Sequence, residues 1–307
     1  MNVEQTVLVI GYGSIGKRHS DVLNNLGYKV VVVSRRNFKR SNFYSNIEEA
    51  LSKEDIQYIV IANETNMHLH TLQKLNYLGY RGKLLIEKPL ALTSNINFHP
   101  NIFVGYNLRF HPIIQKVKKM LRNTKVLSVN CYVGQYLPTW RPNTDYTKCY
   151  SASKDLGGGV LNDLSHELDY LLYLFGDWKK LVSFGGKKSN LKIDSYDNMS
   201  ILFSTQKAFN INLELNYLDR IIQRYFIINT DDLTIKADLF HNSLQINDEV
   251  QYFKVERNLT YLKQHIAILE NSYDIKEACT LHEGIRCDNM IQKIEKSLKE
   301  SKWIYNE

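Results

Sequence analysis

The stretch TVLVIGYGSIG, residues 6–16, constrains this chain more than any other. It opens with a short, wholly apolar run, which suits a strand buried on both faces. Glycines follow at 11, 13 and 16, and SIGKRHSDVLNNLG continues from there. In it Ile15, His19, Val22, Leu23 and Leu26 recur at helical spacing, and Gly27 supplies a stop. The alternation then repeats. KVVVVS, QYIVIA and GKLLIEKP read as buried strands, with NIEEALSK and MHLHTLQKLNYLG as the helices between them. Such a pattern predicts a doubly wound parallel sheet with helices on both faces.

After NIFVGYNLRF and a helix near 112–122 the texture changes. VLSVNCYVGQY, LVSFGG, MSILFST, AFNINLELNY, RYFIINT, LTIKADL and LQIND are short strands with no helices between them. Only 158–176, 260–270 and 280–300 have helical spacing. The second half is therefore expected to be an α+β domain with a mainly antiparallel open sheet. A length of 307 residues suits two domains, and we divide the chain into residues 1–122 and 123–307.

Bulk properties exclude several classes. The net charge is +7, but Lys and Arg are scattered, with short clusters only at 35–40 and 116–125. No zinc-finger or RNP-type signature is present, so no nucleic-acid partner is expected. No run approaches 18 apolar residues, so no membrane span is expected. The start MNVEQTVLVIGYG lacks a basic leader and a cleavage site, and the expected location is the cytoplasm. Cys131, Cys149, Cys279 and Cys287 form no metal-ligand spacing, so free thiols and no bound metal are expected.

GYGSIG matches GxGxxG in the context that gives the pattern meaning, after a strand and opening a helix. Gly11 permits the tight turn, Gly13 lets backbone approach a pyrophosphate, and Gly16 lets helix and strand pack closely. The first half is thus read as a Rossmann domain that binds a dinucleotide at a helix N-terminus. NAD would call for an acid at the end of the second strand. VVVVSRR has Ser34, Arg35 and Arg36 there, groups that can bind a 2′-phosphate. NADP(H) is the preferred cofactor on this reading, with NAD(H) possible. GKLLIEKPL places Glu87, Lys88 and Pro89 at the carboxyl end of a strand, where open α/β sheets bind ligands. A lysine there can exchange a proton with an alcohol oxygen if its pKa is lowered. Taken alone, it is an ordinary surface residue.

GYGSIG, IANETNMHLH at 61–70, EKP at 87–89, GYNLRFHP at 105–112 and GGGVLNDLSHELDYLLYLFG at 157–176 occur in this order, and the chain's last helix ends in SKWI. Together they resemble the Gfo/Idh/MocA family of NAD(P)-dependent oxidoreductases, which act mostly on sugars and their derivatives. The resemblance covers nearly the whole chain. It implies hydride transfer between nicotinamide C4 and a carbinol carbon, and a homodimer or homotetramer formed through the second domain's open sheet. Matched position by position, it implies Lys88 as proton carrier or orienter, His166 as acid/base or substrate ligand, and Asp163 as its companion. The backbone of Gly11, Tyr12, Gly13, Ser14, Ile15 and Gly16, together with Asn63 and Glu87, matches cofactor contacts. Asn107 and Arg109 match positions near an interdomain cleft.

Two features depart from the common family pattern. Asp163 and His166 are three residues apart where four is usual. Only LTSNINFHPN lies between EKPLA and IFVGYN, so the edge of the first sheet is expected to be less covered.

YLPTWRPNTDYTKCYSASKDLGGGV resembles a subgroup found with bacterial surface-glycan and nonulosonic-acid biosynthesis, which implies an anionic or nucleotide-activated sugar. Trp140, Arg141, Tyr146 and Tyr150 have types apt for sugar stacking and anion pairing. On one helical projection Leu161, Leu164, Leu168, Leu171, Leu172 and Phe175 form an apolar stripe. Asp163, His166 and Tyr170 then cluster on the opposite, wet face, with Asp169 beside them. Lys88 from the first domain and His166 with Asp163 from the second are expected to meet at the reacting oxygen. Alternatives are a reductase of an imine or tetrapyrrole, and a dinucleotide-binding sensor without catalysis.

Overall fold

A computed structural model describes residues 5–36, 40–90 and 100–306. Most of LTSNINFHPN lies outside the described residues, and with it the expectation of a less covered sheet edge. By contact the chain forms two units. One holds the described residues up to Phe110 together with Arg257–Arg286. The other holds His111–Glu256 and the described residues from Cys287 on. The segment 257–286, which the division at 122/123 leaves in the second domain, thus packs with the first unit.

The first unit begins with strand β1 (Thr6–Ile10), helix α1 (Ser14–Asn25), β2 (Lys29–Val33) and β3 (Phe43–Tyr44). Helix α2 (Ile47–Lys53), β4 (Ile56–Ile61), α3 (His68–Tyr77), β5 (Lys83–Ile86) and β6 (Ile102–Val104) follow. Strands β1 to β6 pair in parallel in the order β6-β5-β4-β1-β2-β3. The order therefore reverses between β1 and β4, which is where a doubly wound sheet opens a ligand crevice. Both faces are buried, which explains the uninterrupted apolar runs. One face carries Val7, Val9, Val30, Val32, Tyr58, Val60, Leu85 and Phe103, clustered with Leu23 and with Ala267 and Ile268 from the C-terminal segment.

The second unit starts with α4 (Pro112–Met120) and β7 (Val126–Gly134). Helices α5 (Val160–Asp163) and α6 (His166–Phe175) come next, then β8 (Trp178–Gly186), β9 (Asn198–Thr205) and β10 (Ala208–Asn216). Strands β11 (Gln223–Thr230), β12 (Thr234–Asp238), β13 (Ser243–Ile246) and β14 (Glu249–Tyr252) complete the run. The sheet order is β14-β13-β12-β11-β7-β10-β9-β8, and only β7 and β10 pair in parallel. One face of the sheet is buried through Val129, Cys131, Ile201, Phe203, Ile211, Leu213, Phe226 and Ile228. On the other face Val182, Leu202, Asn212, Asn130 and Ile227 share one cross-strand row, and Phe184, Ser200, Glu214, Tyr132 and Tyr225 the next.

The chain ends with α7 (Leu259–Leu269), β15 (Cys279–Thr280), α8 (Leu281–Glu300) and β16 (Ile304–Tyr305). In the first unit β15 adds antiparallel to β6. Lys83 Nζ donates to the Leu269 carbonyl at 2.8 Å, a cation on the C-terminal carbonyls of α7. In the second unit β16 pairs with β8.

The helix expected as one piece over 158–176 is two. Leu164 and Ser165 separate α5 from α6, so Asp163 ends one helix and His166 begins the next. Its expected wet face is also largely buried: Asp163 is 7% exposed, Asp169 2% and Tyr170 0%, while His166 is half-buried. Glu167 pairs with Arg224 at 2.9 Å, which compensates a carboxylate removed from water.

Candidate active site

In the first unit the candidate residues gather at the carboxyl ends of the parallel strands. The Gly11 amide donates to the Val33 carbonyl at 2.9 Å, which turns the chain out of β1. At Gly11 φ is +97°, and a Cβ there would lie 2.6 Å from the Asn63 backbone. Only glycine combines that φ with so close an approach. A Cβ on Gly16 would lie 2.0 Å from the Gly11 carbonyl, so the helix and the turn are in direct backbone contact. Above Gly13, in contrast, there is open space to 4 Å. Helix α1 has no side-chain cap and no acid in its first turn, so its first N–H groups face that space without an intrahelical acceptor. Asn63 donates to Thr71 Oγ1 at 2.8 Å, while its buried Oδ1 has no hydrogen-bond partner among the described residues. An open cradle, an uncapped helix start and an orphaned buried acceptor fit a dinucleotide. Ser14 and Ile15 lie in that first turn, and Tyr12 packs edge-on against Phe43 at 5.0 Å.

At the end of β2 the Ser34 hydroxyl accepts from the Arg36 amide at 3.2 Å. Arg35 pairs with Glu64, which follows β4. An acid thus does stand near this corner, supplied by another loop. Both side chains are well exposed, at 78% and 60%, so the pair is weakly held.

Glu87 is 8% exposed and accepts from His19 at 2.9 Å. Lys88 follows, half-buried, and precedes Pro89 through a cis peptide bond. His68 joins the two loops. Its Nδ1 lies 3.1 Å from the Pro89 carbonyl and its Nε2 3.2 Å from the Asn63 carbonyl. Burial lowers its pKa, against the pull of those carbonyls. Asn107 donates to Thr260 Oγ1 at 2.7 Å, and Arg109 pairs with Glu283 at 3.0 Å. Glu283 also accepts from Thr280 in a reciprocal capping box that starts α8. Both residues are at least 96% buried and anchored to the C-terminal segment of their own unit, which gives them a structural occupation that sequence matching does not show.

In the second unit the glycine triplet has a local cause. A Cβ on Gly158 would lie 2.2 Å from the Tyr150 carbonyl, and Gly159 has φ +111°. The loop carrying Tyr150 therefore lies directly on the start of α5. Asp163 accepts from the Tyr217 hydroxyl at 2.6 Å, and Trp140 stands edge-on to the Tyr217 ring at 5.1 Å. The Arg141 guanidinium lies 5.3 Å from the Tyr150 ring centroid. Burial and the neighbouring Asp163 push both Tyr150 and Tyr217 up, so both remain phenols. Burial opposes the Arg141 charge, but Cys149, Tyr150 and Asp163 together hold its pKa up. Trp140, Arg141, Tyr146 and Cys149 line one shallow pocket with Leu137 and Thr144. Asp163, Tyr150, Arg141 and Trp140 are thus brought into one neighbourhood, and Tyr217 completes it.

Tyr170 is placed elsewhere. It is fully buried, 3.1 Å from Cys131 Sγ, and its ring packs on Phe226. The break at Leu164–Ser165 puts it on a different helix from Asp163. His166 opens α6 and is half-buried. Sequence reading missed Tyr217, His68 and Glu64. Tyr217 follows a strand paired with neighbours distant in sequence, and nothing local marks it.

All four cysteines are free; Cys149 is half-buried and the others buried. Among the described residues no group of His, Cys, Asp and Glu could hold a metal, and no helix is long and apolar enough to cross a membrane.

Residues 5–96 match the model of the oxidoreductase family with an NAD-binding Rossmann fold, Gfo/Idh/MocA. No curated protein matches the chain. Among solved structures it resembles GenD2 from gentamicin A biosynthesis in complex with NAD, with TM-score 0.79 and 18% identity over 99% of this chain and 97% of that one. It resembles levoglucosan dehydrogenase in complex with NADH, with TM-score 0.80 and 17% identity over 98% of each. It resembles myo-inositol 2-dehydrogenase from Lactobacillus plantarum, with TM-score 0.79 and 17% identity over 99% of this chain and 100% of that one. These likenesses establish a fold shared along the whole length. Residues 5–96 thus carry the NAD-binding Rossmann domain of the Gfo/Idh/MocA oxidoreductase family.

Proposed function

We propose that this protein is a nicotinamide-dinucleotide-dependent oxidoreductase acting on a carbinol or carbonyl carbon of a sugar-type substrate. The observation that carries the reading is the open, uncapped cradle at Gly13 on a sheet whose strand β5, on the far side of β4, leads into Glu87 and Lys88. When bound, the nicotinamide accepts or delivers a hydride. Gly11 to Gly16 hold the pyrophosphate by backbone N–H groups, and Asn63 and Glu87 supply acceptors. Lys88 holds or moves the proton of the substrate oxygen. In the second unit His166 is the candidate acid/base, and Asp163, oriented by Tyr217, supports it electrostatically. The solved relatives include dehydrogenases of levoglucosan and of myo-inositol, which supports a polyhydroxylated substrate.

Two finer readings belong to the same proposal. Ser34, Arg35 and Arg36 favour NADP(H) over NAD(H). The exposed Arg35–Glu64 pair exchanges readily for a phosphate, because breaking it costs at most about 1 kcal/mol. Arg141 and Trp140 favour an anionic or nucleotide-activated sugar, as surface-glycan biosynthesis supplies. Asn107 and Arg109 then act on substrate only through the shape of their unit. The face with half-exposed Val182, Leu202, Tyr225 and Ile227 and exposed Phe184 supports a homodimer or homotetramer. The free thiols support a cytoplasmic location.

The test is turnover of NAD(P)(H) over nucleotide sugars and acidic sugars, with Lys88→Ala and His166→Ala alongside. Each variant lowers kcat at least about a hundredfold while cofactor binding survives. Unchanged kcat in both sinks the assignment. Cofactor binding without turnover on any of these substrates favours a sensor.

A further inference from the structure

Behind Glu87 stands a row of buried side chains that the proposed chemistry does not use. His19 Nε2 lies 2.9 Å from Glu87 Oε1, and His19 Nδ1 lies 2.8 Å from His265 Nε2. His265 Nδ1 lies 3.1 Å from the Tyr58 hydroxyl. His19, His265 and Tyr58 are all 0% exposed. They come from α1, α7 and β4, all within the first unit. Gly105 also packs closely on the Glu87 carboxylate, since a Cβ there would lie 2.6 Å from Oε1.

The chemistry of the groups orders the row. An ionised carboxylate only accepts, so His19 Nε2 carries the hydrogen. With one proton on the ring, His19 Nδ1 accepts, and His265 Nε2 must donate to it. His265 Nδ1 then accepts from the Tyr58 O–H. Three donors serve three acceptors and no buried group is left over. The reverse order needs a second proton on His19 to keep its bond to Glu87. Burial holds Tyr58 as a phenol and His265 as a neutral ring, which suits the first order.

We propose that His19 is a positioning residue for Glu87 and that His265 fixes the His19 tautomer, so that Glu87 is presented beside Lys88 as a fixed, acceptor-only carboxylate. This rests on reading Glu87 as a cofactor contact. It gives the C-terminal segment a role in the cofactor domain, since α7 delivers His265 into that unit's core. A carboxylate held in this way suits ligand N–H or O–H donors and rejects an anionic group at the same point.

The test is nitrogen-15 NMR of the histidine-labelled full chain at pH 7.5, with His19 and His265 assigned from His19→Gln and His265→Gln spectra. NADH and NADPH titrations of wild type, His265→Gln and His265→Phe accompany it. Wild type should show both rings neutral and protonated at Nε2. His265→Gln keeps an N–H donor and should bind the cofactor within about threefold of wild type. His265→Phe has none, so His19 should populate both tautomers and the dissociation constant should rise about tenfold. A wild-type His19 protonated at Nδ1 or on both nitrogens overturns the proposal. So does a folded His265→Phe with unchanged cofactor binding. Should His265→Phe not fold, the wild-type tautomers and the His265→Gln titration decide. Failure of wild type to bind either cofactor sinks the proposed function instead and leaves the tautomer result standing.

Discussion

Replacing Gly13 by alanine separates binding from folding at the candidate cofactor site. The backbone there has φ −78° and ψ −167°, which alanine adopts without strain, and a Cβ would meet nothing within 4 Å. Losing a glycine restricts the unfolded chain, while alanine is a poorer helix cap, and the two effects oppose each other. Stability without ligand should therefore change by less than about 0.5 kcal/mol. The same methyl group fills the space that a pyrophosphate would need. Losing one or two charge-assisted backbone bonds costs about 1.5–3 kcal/mol, which is about a tenfold to hundredfold rise in Kd. Gly16→Ala is the contrasting variant. Its Cβ would lie 2.0 Å from the Gly11 carbonyl, and neither backbone can rotate away. Overpacking of this kind costs about 1–3 kcal/mol before any ligand is present. Urea unfolding and calorimetric titration with NADH and NADPH measure both quantities. A Gly13→Ala protein that binds both cofactors as wild type does would refute the assignment of the open space to a pyrophosphate.

Four further outcomes follow from the geometry. Tyr217→Phe removes the 2.6 Å donor to buried Asp163 and should cost about 1.5–3 kcal/mol by denaturant unfolding, with a fall in kcat but not in cofactor binding. Arg224→Ala leaves Glu167 fully buried without its cation and should cost about 3 kcal/mol or more, whereas replacing both residues by apolar ones recovers much of that loss. His68 and His265 have pKa values pushed below the ordinary 6.5 by burial, so the folded state binds fewer protons than the unfolded one. Stability should then be fully present above about pH 6.5 and fall on acidification, by up to about 1.4 kcal/mol per pH unit for each ring, and His265→Gln should remove one ring's share of the slope. Phe184→Lys with Ile227→Asp charges the open sheet face and should yield a monomer in sedimentation velocity if that face joins copies of the chain.

The sequence by itself determined the two kinds of sheet. Uninterrupted apolar runs such as VVVV at 30–33 mark strands buried on both faces, and the alternation of NINLEL at 210–215 marks a strand with one face covered. Both are local properties of the chain. It also determined the glycine cradle, because the demand for glycine at 11 and 16 arises within one strand, turn and helix. The helix over 158–176 shows where local reading stops. Periodicity placed Tyr170 beside Asp163, yet the chain breaks at Leu164–Ser165, and the sheet residues Arg224, Cys131 and Phe226 pack against Glu167 and Tyr170. Only the tertiary structure decided that Tyr217 orients Asp163, that Glu64 reaches Arg35, and that His265, 246 residues from His19, stands behind Glu87. Each of these is a contact between side chains far apart in sequence. Hydrophobic periodicity is blind to it, because it records which face of an element is covered and not which polar group waits on the other side.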